Sequence, residues 1–116
     1  MSKVKRKADS GEAVYLYTVG WSEEDAVYIG RVSEFSLLAA HGDTPQAALD
    51  EIMNVVRIVL EDLRESGEYV PAPFSARQFS GKLNVRMPPA LHRRLSVEAA
   101  QQGTSLNNFI NSKLTV

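Results

Sequence analysis

One short stretch near the carboxyl end limits what the chain can fold into. The run GKLNVRMPP, residues 81–89, alternates polar and apolar side chains and ends in two prolines. Alternation with a period of two predicts a strand with one buried face, and the prolines end it because neither has an N–H for a ladder. The apolar face consists of Leu83, Val85 and Met87. No second strand is predicted after it, so the chain by itself offers this strand nothing to pair with.

Two short helices are predicted to follow this strand. Pro89 starts the first, which covers residues 90–102 and ends at Gly103, and Ser105 is a good N-cap for the second. A strand and two helices of this size bury too little apolar surface to be stable alone. Antiparallel pairing of the strands of two copies would solve this, so we predict a homodimer, with higher oligomers left open. The predicted dimer core consists of Leu83, Val85, Met87, Leu91, Leu95, Phe109 and Ile110.

The polar face of the strand carries side chains that suit contacts with the base edges of DNA. Arg86 suits guanine through a bidentate contact, Asn84 suits adenine, and Lys82 suits guanine or a phosphate. In a dimer, six such side chains on a two-stranded ribbon fit the major groove. Backbone amides at a helix start suit phosphates. The predicted phosphate contacts are Ser105, Leu106 and Asn107. We therefore predict binding to operator DNA that contains an inverted repeat.

The charge of the chain is divided between its halves. Residues 8–74 hold three basic and thirteen acidic side chains, a net −10, whereas residues 75–116 hold six basic and one acidic, a net +5. The first seven residues add +4. Such a division indicates two partners of opposite charge. The basic half suits a polyanion, and the acidic half suits a basic protein.

Composition narrows the class of protein further. The chain has no cysteine, so neither disulfides nor cysteine-ligated metals are expected. No apolar run is long enough to cross a bilayer. We expect a cytoplasmic protein that has no membrane contact, no metal and no cofactor.

The N-terminal half is predicted to be an antiparallel sheet with one helix across it. Thr44 and Pro45 are good N-cap and first-turn residues, and Gly67 is a good helix end. The predicted strands are residues 13–21, 26–33 and 36–41, with a short further strand possible near 68–70. The first strand is apolar on both faces and is therefore expected to be central.

The fold class predicted from these patterns is α+β. A β-β-β-α(-β) module joins a C-terminal unit of one strand and two helices. The predicted divisions are a disordered basic tail at residues 1–12, the sheet module at 13–70, a linker at 71–80 and the C-terminal domain at 81–116.

Residues 81–114 resemble a ribbon-helix-helix domain of the Arc/MetJ type. The runs KLNVRMP, LHRRLSVEAAQQ, GTS and LNNFIN follow the layout of that family without a gap. The resemblance implies dimerisation and DNA binding. By position it assigns base reading to Lys82, Asn84 and Arg86. Arg94 and Glu98 depart from the pattern, because they stand where apolar core residues are common; they are spaced to pair at i, i+4 and would thin the dimer core.

The N-terminal half resembles the HicB family of antitoxins. The resemblance lies in YTVGWSEEDAVYIGRVSEF, HGDTPQAALDEI and GEYVPAPFS, which precede the ribbon-helix-helix unit. It implies a degenerate RNase-H-like module that neutralises a small basic HicA toxin, which cleaves mRNA, and a C-terminal domain that represses the operon. It implies no enzymatic activity. Two features depart from the family: Ala26 and Val27 follow Asp25 where a glycine is common, and residues 33–36 replace a P-x-L-P-G type run.

Two other functions remain open from the sequence. One is a stand-alone ribbon-helix-helix regulator whose N-terminal module binds a ligand or oligomerises. The other is an RNase-H-like nuclease, which would need several carboxylates converging on magnesium. The three strands predicted at residues 13–21, 26–33 and 36–41 contain no carboxylates, and the residues of the acidic turn, Glu23, Glu24 and Asp25, are contiguous. A metal site is therefore not expected.

Single residues with reactive or stacking side chains are assigned structural roles. His41 has no predicted nucleophile or orienting partner, so a role as general base is not favoured. His92 is expected at the surface or the dimer interface. Trp21, Tyr15 and Tyr17 are expected in the sheet core rather than in a platform for stacking RNA bases.

Overall fold

The computed structural model describes residues 11–115, which divide into two compact units with the boundary between Gln78 and Phe79. The first unit contains a three-stranded sheet and the longest helix; the second contains two shorter helices. Within residues 11–115, no helix is long and apolar enough to span a membrane. The predicted α+β class is confirmed. The predicted tail at residues 1–12 lies almost entirely outside the described residues.

The sheet of the first unit is antiparallel, with β2 in the middle. Its strands are β1 (Tyr17–Ser22), β2 (Val27–Val32) and β3 (Ala39–Gly42). The prediction that the first strand is central is wrong, because β1 lies at an edge. Only one of its faces packs on the helix; Leu16, Thr18 and Gly20, on the other side, are exposed. The apolar character of Leu16 therefore did not indicate burial.

The first strand also begins later than its alternation predicts. Glu12–Val14 form a short 3₁₀ helix, and β1 starts at Tyr17. Two tyrosine hydroxyls are associated with this turn: that of Tyr15 donates to the Pro71 carbonyl at 2.7 Å, and that of Tyr17 donates to the Glu12 carbonyl at 2.6 Å. The Tyr15 contact joins residues 56 positions apart in the chain, so a period-two pattern does not reveal it.

The third strand is shorter than predicted and shifted along the chain. It starts at Ala39 rather than Ser36 because the preceding residues form turns. In these turns the Phe35 N–H donates to the Val32 carbonyl at 3.3 Å, and the Leu38 N–H donates to the Phe35 carbonyl at 3.0 Å.

Helix α1 (Pro45–Ser66) begins and ends where its local signals predict. The Thr44 hydroxyl accepts a hydrogen bond from the Ala47 N–H at 3.0 Å, which satisfies one of the free amides of the first turn. Gly67 adopts a left-handed φ of 72° and closes the last turn. The core of the unit forms where α1 covers the sheet, and it contains Tyr15, Val32, Ile52, Val56 and Leu60.

The chain after α1 forms no further strand among the described residues. Pro71 and Pro73 remove ladder donors there, and Phe74–Ala76 form a 3₁₀ turn. The short edge strand considered for residues 68–70 is therefore wrong.

The second unit consists of α2 (Pro89–Gln101), α3 (Leu106–Leu114) and the segment that precedes them. Both helices were predicted, and Gly103 turns the chain between them with a left-handed φ of 70°. Residues 82–88 form no paired strand in the single chain. Because the predicted strand depends on a second copy, its pairing stays a prediction.

Candidate nucleic-acid interface

The segment 82–87 exposes both of its faces in the single chain. Its polar residues are exposed, and so are two apolar ones, Leu83 at 82 % and Val85 at 63 %. Leu83 and Val85 therefore contribute little to the core of their own unit. Large apolar side chains in this state gain free energy when a partner covers them.

A groove of about 910 Å³ separates this segment from α3. The groove brings together predicted dimer-core residues and predicted DNA-contacting residues of one chain. Its apolar lining comprises Leu83, Val85, Met87, Leu106, Ile110 and Leu114. Its polar lining comprises Lys82, Asn84, Arg86, His92, Asn107 and Asn111. The other predicted core residues, Leu91, Leu95 and Phe109, do not line it.

The groove itself was not predicted from the sequence, although His92 was expected at the surface or the dimer interface. The spacing of Leu106, Ile110 and Leu114 at i, i+4 and i+8 is the signal that could have indicated it. Leu114 is 74 % exposed, so the apolar face of α3 continues beyond the part that the unit itself buries.

The buried core of the second unit is small. Ala99 of α2 and Phe109 of α3 are the buried residues within residues 79–115, each at 2 % exposure. Leu91 and Leu95 are half-buried. The unit therefore has a thin core of its own, which is consistent with the expectation that it needs more buried surface.

The start of α3 has the geometry of an anion site. The Ser105 hydroxyl accepts a hydrogen bond from the Asn108 N–H at 3.0 Å. Within residues 11–115, the amides of Ser105, Leu106 and Asn107 have no hydrogen-bond partner recorded in the structure. Such amides point outward from a helix start and attract negative charge. The predicted phosphate role of these three residues stays a prediction.

Charge in this unit is strongly positive. Residues 79–116 contain five basic side chains and one acidic side chain. That acidic residue, Glu98, pairs with Arg94 at 3.7 Å, as the i, i+4 spacing predicted. The Lys113 ammonium group lies over the Phe109 ring, 5.3 Å from its centroid. Lys82 and Arg86 are not involved in these contacts and are exposed.

The first unit has a different set of polar contacts, which attach the chain after α1 to the sheet. The Glu34 carboxylate accepts hydrogen bonds from the Leu16 N–H at 3.0 Å and the Phe74 N–H at 2.8 Å. The Arg77 guanidinium group lies over the Phe74 ring, 4.1 Å from its centroid. Sequence reasoning missed Glu34, since the carboxylate connects segments forty residues apart.

Two tyrosines in the first unit have perturbed acidity. Burial raises the pKa of Tyr17 to about 12, and the nearby carboxylates of Glu12 and Glu34 contribute in the same direction. Burial also raises the pKa of Tyr15. Both hydroxyls donate hydrogen bonds to carbonyls, which favours their neutral forms. Tyr15 is buried in the sheet core and Tyr17 is half-buried against it, which agrees with the structural role expected from the sequence.

Trp21 was expected in the core but lies at its rim. Its ring is 51 % exposed and stands edge-on to Tyr28, with ring centroids 5.1 Å apart. Its indole N–H donates to the Glu23 carboxylate at 3.0 Å. His41 is exposed on β3, opposite Ile29. Within residues 11–115, no group of three His, Cys, Asp or Glu side chains could hold a metal ion.

These observations define a protein with an acidic α+β unit followed by a basic unit that has an open apolar groove. Residues 60–114, just under half of the chain, match the model of the HicB family. The resemblance to the HicB family found from the sequence is confirmed for this segment. The match begins in the last turns of α1 and runs to the end of α3, so it does not include the sheet.

The family match indicates a general role. HicB proteins are generally antitoxins of toxin–antitoxin pairs and not enzymes, and the family implies a toxin as partner. No curated protein matches the chain. No solved structure matches it either.

Proposed function

We propose that the protein neutralises a HicA-like, mRNA-cleaving toxin encoded in the same operon and represses that operon by binding operator DNA as a dimer. The observation that carries the DNA-binding part is the segment 82–87, whose polar and apolar sides are both uncovered in one chain. Such a segment suits two partners at once: a second copy on the apolar side and DNA on the polar side.

Dimerisation follows from the apolar side. Two copies of residues 82–87 pair antiparallel about a two-fold axis and supply each other's ladder hydrogen bonds. The pairing covers Leu83 and Val85, and the partner's segment also covers the apolar groove along α3. Replacing Val85 with aspartate should therefore yield a monomer in sedimentation at concentrations where the wild-type chain is a dimer.

DNA reading follows from the polar side. In the dimer, Lys82, Asn84 and Arg86 of both chains project from one face of the ribbon into the major groove. The free amides at the start of α3 contact phosphates and set the register of the ribbon on the DNA. The net charge of the unit adds an attraction that weakens with salt.

The experiment that tests DNA reading compares two arginine variants at fixed salt. Arg86→Ala should lose about 1–3 kcal/mol of discrimination at one base position of the operator, with folding intact. Arg93→Ala is the matched control, because it removes the same charge from an exposed position on α2. Arg93→Ala should weaken specific and non-specific binding alike. Unchanged operator binding by Arg86→Ala would show that the ribbon is not the reader.

Toxin neutralisation is assigned to the first unit on the basis of charge. Its acidic surface attracts a basic toxin and accelerates association. A chain that lacks residues 1–74 should dimerise but fail to neutralise the toxin. Neutralisation by the shortened chain would place the toxin site in the second unit instead.

A further inference from the structure

Strand β1 has one edge that no strand of residues 11–115 covers. The Ser33 N–H donates to the Leu16 carbonyl at 2.9 Å, and bonded pairs recur every two residues along an antiparallel ladder. Thr18 and Gly20 therefore direct their backbone groups toward β2. The residues that direct their N–H and C=O groups to the free edge are Tyr17, Val19 and Trp21. No other strand within residues 11–115 pairs with this edge.

This edge lacks the features that usually prevent further pairing. The sequence of β1, YTVGWS, contains no charged residue and no proline, and these are the common protections of exposed strands. It extends over six residues, whereas β3 at the opposite edge has four. β1 is therefore the better of the two edges for accepting an additional strand by backbone hydrogen bonding.

A depression beside the edge offers space for side chains of an added strand. Gly20 has no Cβ, and a Cβ built there would meet nothing within 4 Å. The resulting depression has a volume of about 370 Å³ and lies on the sheet face opposite α1. Its lining comprises Thr18, Val19, Gly20, Trp21, Ser22, Ile29 and Arg31. The added strand would thus find both a backbone ladder and a site for an alternate side chain.

Acidic residues at the two ends of β1 favour an added strand that is flanked by basic residues. Glu12 lies before the strand, and Glu23, Glu24 and Asp25 follow it in the turn to β2. Pairing of β1 with its own copy would bring together two copies of residues 8–74, each with a net charge of −10, which opposes pairing. A strand flanked by Lys or Arg gains from both ends, and the exposed ring of Trp21 can receive a cationic side chain.

We propose that β1 accepts an added strand from a basic protein, and that this strand addition is the main contact with the partner of the first unit. The proposal rests on the proposed function in one respect: it takes the HicA-like toxin as the basic protein. It goes beyond that function because it assigns the contact to the edge of β1 and to backbone hydrogen bonds.

The first test measures amide exchange by NMR on the full-length wild-type chain, alone and with a catalytically inactive form of the toxin encoded beside it. In the free chain, the amides of Tyr17, Val19 and Trp21 should exchange quickly. They should become slow in the complex. The amides of Thr18 and Gly20 should be slow in both states, because β2 already holds them. An alternating gain of protection is specific to strand addition, since contacts through side chains alone would not produce it.

The second test uses proline at the free edge. Val19→Pro removes an N–H that the sheet itself does not use, so the first unit should stay folded. Toxin binding should weaken by roughly 10- to 100-fold, because an acceptor of the added strand is left without its donor. Ala39→Pro is the matched control: its N–H faces the free edge of β3, and toxin binding should be unchanged.

The possible outcomes separate this proposal from the proposed function. If the toxin binds the wild-type chain but the amides of β1 gain no protection, strand addition is wrong and the antitoxin role stands. If the amides of Tyr17, Val19 and Trp21 already exchange slowly in the free chain, the edge is covered by the chain itself or by a second copy. The proposal that a basic protein supplies the added strand would then be wrong. If the toxin does not bind the wild-type chain, the proposed function fails and this proposal fails with it.

Discussion

Gly30 of β2 and Ile52 of α1 set how closely the helix approaches the sheet. A Cβ built on Gly30 would lie 2.8 Å from Ile52 Cγ2 and 2.7 Å from the Ala48 carbonyl oxygen. Both neighbours belong to the buried side of α1. The middle strand therefore packs its backbone directly against the helix, and only glycine leaves room for this contact.

Gly30→Ala should destabilise the first unit. The added methyl group has to displace either α1 or the strand, which costs about 1–3 kcal/mol. The measurement is the free energy of unfolding in urea. Gly20→Ala is the control, because nothing lies within 4 Å of a Cβ at that position; it should be neutral or slightly stabilising. Equal losses in both variants would show that the helix does not depend on this close approach.

Ala26→Gly should stabilise the first unit. Ala26 has a φ of 55°, in the left-handed region, at the turn between β1 and β2. This conformation destabilises an alanine by about 1–2 kcal/mol. Glycine has greater freedom in the unfolded chain, which reduces the gain from the substitution by about 0.5–1 kcal/mol. We expect a net gain of about 0.5–1 kcal/mol in urea unfolding. Ala39→Gly, in a strand with ordinary φ, should instead lose stability, and a loss in both variants would contradict the account of Ala26.

Glu34→Gln should loosen the chain that follows α1. The carboxylate accepts one hydrogen bond on each oxygen, from the Leu16 and Phe74 amides, and the side chain of glutamine has only one acceptor oxygen. The expected loss is about 1 kcal/mol, together with faster tryptic cleavage after Arg77. Glu24→Gln removes the same charge from the β1–β2 turn and should change neither quantity. Unchanged cleavage in Glu34→Gln would show that other contacts hold this segment.

Tyr17→Phe should flatten the alkaline part of the stability profile. The fold raises the pKa of Tyr17 to about 12 from its ordinary value of 10.0. The folded state favours the neutral hydroxyl. Its contribution to the free energy of unfolding is therefore complete below pH 10 and is lost as the pH rises toward 12. The wild-type free energy of unfolding should fall through this window, and that of Tyr17→Phe should fall less.

At neutral pH the same variant should lose about 1 kcal/mol, because the hydrogen bond to the Glu12 carbonyl is gone. Tyr15 also titrates from a raised pKa, so some alkaline loss should remain. Tyr69→Phe is the control, since this side chain is 80 % exposed. An alkaline profile of Tyr17→Phe that parallels the wild type would contradict the role of Tyr17.

Local signals predicted the helices well because the residues that decide them are neighbours in sequence. Thr44 and Gly67 act on the turns they adjoin, and both ends of α1 were predicted from them. The order of the strands has no such local origin. β1 is apolar enough to be central, yet within residues 11–115 only β2 pairs with it. Thr18 and Gly20 on one face were the available sign of exposure.

The candidate interface could be predicted where it depends on residues that are neighbours in sequence. Alternation indicated that Lys82, Asn84 and Arg86 share the polar side, and all three are exposed; their DNA contacts stay a prediction. The groove along α3 was not predicted, because it is formed by tertiary packing of residues 81–87 near that helix. The role of Glu34 was missed because its two amide partners are distant in sequence.

Growth rescue in cells that express the adjoining toxin tests the central claim most directly. The full-length chain, produced in excess, should restore growth. A variant with alanine at positions 82, 84 and 86 should restore it equally, because the proposed DNA contacts are not needed to neutralise the toxin. Failure of the folded wild-type chain to restore growth would contradict the account.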